Sequence, residues 1–179
     1  MSARSFRVTV YASSSERIDR RYFGLAEELG RGIAARGWEL AIAGRLRPGY
    51  APAWLEALPP GVRWLGPLAD DALAALYAVA EVAVSASEYE GFGLTVAEAM
   101  ASGCAVVAVG ASSIPEVVGD AGVLVPRSDV SLLAAALARV LAEPETRAAL
   151  GARGRERAAR FTWEATARRT RQVYEEAAA

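Results

Sequence analysis

The 179-residue chain contains no histidine and no lysine; all twenty of its basic residues are arginine. Imidazole acid–base chemistry, histidine metal ligation and lysine Schiff bases are therefore excluded within the chain. A Ser-His-Asp triad is excluded for the same reason. Cysteine is nearly absent: Cys104 stands alone, so no disulfide framework exists. No apolar run reaches membrane-spanning length, and the opening MSARSFRVTVYASSSER lacks the apolar core of a signal peptide. A cytoplasmic location is expected. Net charge is −1, which argues against a general nucleic-acid binder. The Arg-rich tail from Arg147 to Arg171 is interleaved with Glu145, Glu156 and Glu164, the pattern of a solvated amphipathic surface.

What is present is a core-forming composition, 53% apolar, in a length suited to one domain. Short, nearly continuous apolar runs over 6–12, 38–44, 62–66, 81–86, 104–109 and 122–125 read as buried parallel strands. Between them lie helical patterns. Over 19–36, Tyr22, Phe23, Leu25, Ala26, Leu29 and Ile33 recur at helical spacing before Gly37. Asp70 is expected to cap a helix over 70–80, and another runs over 94–102 to Gly103. A short helix opens at Ser113-Ile-Pro-Glu. Three helical stretches close the chain, over 128–142, 145–160 and 162–178. The expectation is one α/β domain over 1–179: a three-layer, Rossmann-like fold with a six-stranded, mainly parallel sheet, helices on both faces and a helical C-terminal tail.

The stretch EYEGFGLTVAEAMASG carries the chemistry. Glu90 and Glu98 lie eight residues apart, with Gly91-Phe92-Gly93 and then Leu94 between them. A strand, a Gly-containing loop and a helix N-terminus at the carboxyl edge of a parallel sheet form a natural ligand position. Glycines let the backbone approach a ligand, and the helix end presents free N–H groups and a positive dipole suited to phosphate. Glu98, one turn inside the helix, is placed to accept from ribose hydroxyls, and Glu90, in the loop, from a second sugar. The competing account is that an early-helix glutamate simply complements the dipole. Glu81, Glu88 and Glu116 read as solvated or capping residues.

From about residue 40 to the end, the segments SEYEGFGLTVAEAMASGCAVVAVGASSIPEVVGDAGVLV and ARVLAEPETRAALGARGRERAARFTWEATARRTRQVYEEA resemble the donor half of a family 4 retaining glycosyltransferase of GT-B fold. The spacing of Glu90 and Glu98 matches that family's Glu-x7-Glu signature. The resemblance implies that Glu98 binds the nucleotide ribose and Glu90 the transferred sugar. Backbone amides of Phe92, Gly93 and Leu94 would hold the sugar and diphosphate. The implied ligand is a nucleoside-diphosphate sugar, with no cofactor and no metal.

The front differs. RVTVYASSSERIDRRYFGLAEELGRGIAARGWELAIAG, over 7–44, resembles the opening of LOG-type (lysine-decarboxylase-like) phosphoribohydrolases, whose Pro-Gly-Gly-x-Gly-Thr signature is absent. The chain thus looks like a chimera, a LOG-like βαβ unit over 1–44 joined to a transferase segment over 45–179. The transferase family's Arg–Lys diphosphate clamp is missing. Ser13, Ser14, Ser15 and Arg17 occupy the corresponding loop as a candidate phosphate loop, against the simpler account of a turn and helix cap. Arg45 and Arg47 follow the second strand and are not that clamp. The chain is expected to be an engineered or recombined domain with at most weak nucleoside-diphosphate-sugar binding and no turnover, and with no catalytic residue, because the acceptor half of a GT-B enzyme is not in it; if it is active, a retaining hexosyltransferase is expected. The alternatives are a ligand-free scaffold of recombined fragments and one half of a two-chain transferase. Trp163 and Tyr174 are expected to pack on the sheet or to form contacts in a homodimer.

Overall fold

The computed structural model describes residues 7–11, 28, 30–33, 35–45, 55, 56 and 58–178. Six strands form one sheet: β1 (Arg7–Tyr11), β2 (Glu39–Ala43), β3 (Val62–Gly66), β4 (Val82–Ser85), β5 (Ala105–Val109) and β6 (Val123–Val125). Their order is β3-β2-β1-β4-β5-β6, and every pairing is parallel. This is the doubly wound order, in which the chain leaves β1 in one direction across the sheet and returns to place β4 on its other side. The front unit is therefore not an appendage. Val8 and Val10 of β1 are in register with Leu40 and Ile42 of β2 and with Val82 and Val84 of β4.

Alternation along β4 and β5 divides the core between the two faces of the sheet. Val82, Val84, Ala105, Val107 and Val109 join Ile33 and the apolar side of α4 (Val130–Ala142) in one buried cluster. Ala83, Val106 and Ala108 join the opposite cluster, with α1 (Asp70–Val79), α2 (Leu94–Ala101) and α3 (Ile114–Val118). All five residues of β5 are buried, as expected of a strand covered on both faces. Leu137 and Val140 of α4 are fully buried, each contributing roughly 1.5–3 kcal/mol by removal from water. Two further helices follow, α5 (Pro144–Ala158) and α6 (Trp163–Ala177).

Helix starts show where local reading falls short. Asp70 does not cap α1; Ala69 holds that position without a side-chain hydrogen bond, and Asp70 and Asp71 lie in the first turn. There they complement the helix dipole instead. Asp129 does cap α4, accepting from the Leu132 N–H at 3.0 Å, and Thr162 caps α6 by accepting from the Ala165 N–H at 3.1 Å. Trp163 and Tyr174 do not pack on the sheet: they are 80% and 71% exposed. No described helix is long and apolar enough to cross a membrane.

Candidate functional site

The switch of chain direction falls between β1 and β4, where loops leave the carboxyl edge of the sheet in opposite senses and open a crevice. The β4–α2 loop, residues 86–93, emerges there. Glu90 lies in this loop, half-buried, and Glu98 lies one turn into α2 on an exposed position. Gly93 makes the turn possible. It adopts a left-handed conformation (φ 92°, ψ 47°) at the N-cap of α2, and a Cβ there would stand 2.7 Å from Ile114 Cδ1. Both the backbone angle and the space demand glycine.

The Gly93 carbonyl accepts from the N–H groups of Val96 and Ala97, both at 3.1 Å. Among the described residues, the N–H groups of Leu94 and Thr95 have no intramolecular acceptor. These are the donors a helix start leaves for an outside partner. They carry the positive end of the α2 dipole, so the partner they favour is anionic. Although Glu98 is exposed as a residue, its carboxyl is partly shielded from water, and this desolvation first, then the negative charge of Asp70 at the start of α1, raises it above its ordinary value. The two acidic groups thus converge from neighbouring helix starts on the same edge of the sheet.

Several contacts here have no counterpart in a reading of local sequence. Ser112 and Ser113, in the β5–α3 loop, both donate to the Glu90 carbonyl, at 2.8 and 2.9 Å. Ser128 donates its hydroxyl to the Ala86 carbonyl at 3.0 Å, and its N–H lies 3.4 Å from a Glu88 carboxylate oxygen. Phe92 meets Phe161 edge to face, centroids 5.4 Å apart, which ties the loop to the junction of α5 and α6. Of the glutamates read as solvated, Glu81 is ion-paired with Arg147 at 3.2 Å.

Glu90, Phe92, Gly93, Leu94 and Glu98 therefore share one loop and helix start. Among the described residues, no enclosed pocket borders them. The cavity beneath α2, with room for about one water, is lined by Tyr77, Ala83, Val84, Ser85, Thr95, Val96 and Val106. Neither glutamate borders it. The candidate phosphate residues Ser13, Ser14, Ser15 and Arg17 lie outside the described residues, as does Arg47; Arg45 is exposed beyond β2. Among the described residues no cluster of acidic or thiol groups is arranged to hold a metal.

An all-parallel, doubly wound sheet with this strand-loop-helix edge defines a Rossmann-like domain. The family model for glycosyl transferases group 1 matches residues 8–143, and the chain belongs to that family. It is 38% identical over 140 residues to O-antigen chain mannosyltransferase B of Escherichia coli, covering 78% of this chain and 35% of that protein. It is 49% identical over 116 residues to the MMP alpha-(1->4)-mannosyltransferase of Mycolicibacterium hassiacum, covering 63% of this chain and 28% of that one. Sucrose-phosphate synthase from Thermosynechococcus elongatus superimposes with a TM-score of 0.79 at 34% identity, over 97% of this chain and 46% of that one. The chain thus spans about a third of the length of the curated relatives it matches.

Proposed function

We propose that this chain is the donor-holding half of a retaining hexosyltransferase and binds a nucleoside-diphosphate sugar across the β4–α2 loop. In this reading Glu98 accepts from the ribose hydroxyls and Glu90 from hydroxyls of the transferred sugar. The amides of Phe92, Gly93 and Leu94 face the sugar and diphosphate. The observation that carries it is the pair of unpartnered amides at the start of α2, with a carboxylate one turn behind them, at the edge where β4 adjoins β1. Such a site offers donors to phosphate and acceptors to sugar within one helical turn. Two relatives named as mannosyltransferases support a hexose donor.

Turnover requires a second wall. Among the described residues nothing encloses the site, and without a positioned acceptor the advantage of proximity is lost. An amphipathic α6 with none of its residues buried supports a missing cover, which we assign to the acceptor half, in the same polypeptide or another. A homodimer through Trp163 and Tyr174 is the competing cover; light scattering of the isolated chain distinguishes them, since only the dimer doubles the mass. The candidate phosphate loop, Ser13 to Ser15 with Arg17, rests on sequence position: it follows β1, and β1 pairs with β4. The LOG-like origin of the front unit rests on the likeness over 7–44, and the family match beginning at residue 8 weighs against it.

Titration with uridine, guanosine and adenosine diphosphates, followed by NMR, tests the binding claim. Shifts over residues 88–98 are expected for the matching base, with shifts at Ser13 to Ser15 and Arg17 if those residues hold the diphosphate. No shift at millimolar ligand with any of the three ends the proposal and leaves a ligand-free scaffold.

A further inference from the structure

We infer that Ser112 and Ser113 are positioning residues: their paired hydroxyls lock the Glu90 peptide and so hold the Glu90–Gly93 loop in its binding form before ligand arrives. The inference deepens the donor-binding reading above and rests on it for its functional consequence.

Two hydroxyls on one carbonyl is an unusual investment of donors for a surface loop. A carbonyl oxygen has two lone pairs, and here both are used, by Ser112 Oγ at 2.8 Å and Ser113 Oγ at 2.9 Å. With both occupied, rotation of the Glu90–Gly91 peptide plane breaks two bonds at once. The N–H of a trans peptide points opposite to its carbonyl, so the Gly91 N–H is directed away from the two serines and the β5–α3 loop. Ser112 reaches its bond from a left-handed backbone (φ 54°), a region that L side chains other than Asn and Asp seldom occupy. Glycine would enter that conformation freely. A serine kept there against its backbone preference has a hydroxyl that is being used.

The loop needs such a lock. Gly91 has nothing within 4 Å of where a side chain would begin, so packing does not fix the loop at that residue; Phe92 against Phe161 and Gly93 against Ile114 hold only its far side. The same device recurs along the loop: Ser87 Oγ donates to the Tyr89 carbonyl at 3.0 Å and Ser128 Oγ to the Ala86 carbonyl at 3.0 Å. Serine hydroxyls thus hold the carbonyls of three loop residues. A ligand that binds the remaining amides of a fixed loop loses less conformational freedom than one that must order it.

The test compares S112G/S113A, which removes both hydroxyls and relieves the Ser112 backbone, with S113T, which keeps a hydroxyl. Two readouts are taken: amide hydrogen exchange in the free chain, and calorimetric binding of the nucleoside diphosphate that shifts the wild type. In the double variant, exchange over 88–94 should rise and affinity should fall, each by about tenfold for two lost hydrogen bonds. Exchange over β5 and the melting midpoint should stay at wild-type values, and S113T should behave as wild type in both readouts. Unchanged exchange over 88–94 in the double variant overturns the inference even if nucleotide binds. Faster local exchange in a chain whose wild type binds no nucleotide leaves the lock standing and removes the donor-binding reading. Should the double variant not fold, S112G and S113A are read singly against the same two expectations.

Discussion

Helices α5 and α6 have the same length, 15 residues, and both are rich in arginine. Of the two, α6 is the more amphipathic, with Trp163, Ala167 and Tyr174 on one side, interrupted by Thr170, and Val173 beside them. Yet α5 is the one that is buried. Leu150, Gly151, Gly154 and Ala158 pack inward, while Trp163, Val173 and Tyr174 remain exposed. The difference lies in close approach. A Cβ on Gly151 would collide with the Gly103 carbonyl, and one on Gly154 would meet Met100 Cα at 3.4 Å. Each glycine inside a helix costs about 1 kcal/mol relative to alanine, which is offset here by letting α5 lie directly on α2. An apolar stripe, by contrast, needs a surface to meet, and among the described residues α6 has none.

The largest test of this contrast is Gly151→Ala. Helix propensity alone favours alanine, but the collision is with backbone, so we expect destabilisation of about 3 kcal/mol, the upper end for overpacked interiors, read by denaturant melting. If the variant is neutral or stabilised, close approach does not explain why α5 is buried.

A second test bears on the same face. Burial beneath α2 pushes the Cys104 thiol up to about 12, partly countered by a backbone hydrogen bond. The folded chain then keeps a proton that the unfolded chain releases near pH 9. Stability is full below pH 9 and falls as pH rises toward 12, and the folded thiol should resist a disulfide reagent at pH 8. Cys104→Ser should remove that alkaline slope.

Arg157 reaches from α5 to the end of α3, donating to the Val117 carbonyl at 2.6 Å and the Glu116 carbonyl at 2.5 Å. Arg157→Ala leaves those C-terminal carbonyls without their charged donor and should cost about 1.5–3 kcal/mol. Calorimetric melting measures it; a loss under half that range makes the contact ornamental.

At the site, the raised Glu98 carboxyl sets a pH dependence. Ribose hydroxyls donate to the ionised form, so nucleotide affinity should fall as pH drops through that raised value. Folding stability should move the other way, gaining slightly, because the folded state holds the proton more tightly. Glu98→Gln should weaken binding about tenfold at pH 7, near the loss of one charged hydrogen bond, and flatten the pH profile. A variant that keeps the wild-type profile places the titrating group elsewhere.

The smallest effect is expected on α6. Trp163→Ala with Tyr174→Ala should change the stability of this chain by less than about 0.5 kcal/mol, as exposed substitutions usually do. A larger loss would mean that α6 is already covered by a second copy in solution.

Much of the fold was legible because parallel strands announce themselves: VRWLG and CAVVAV are short apolar runs bounded by turns, and they became β3 and β5 within one residue. The five residues from Glu90 to Glu98 were legible from spacing and family likeness, and they do share one loop and helix start. The serine contacts were not legible. Ser113 reads locally as a helix opener, and its acceptor lies 23 residues away on another loop. Asp70 reads as a cap because aspartate commonly is one, but the chain enters α1 one residue earlier. Phe161 reads as a break between helices; that it meets Phe92 depends on how α5 crosses α2.

The sequence by itself determined the alternation of strands and helices, the absence of imidazole and amine chemistry, and the placing of two carboxylates around a glycine turn, because each depends on neighbours in the chain. Tertiary structure alone decided which helix is buried, which carbonyls the serines hold, and that Phe92 meets Phe161. Those depend on distances between segments far apart in sequence, which only a closed sheet brings within reach.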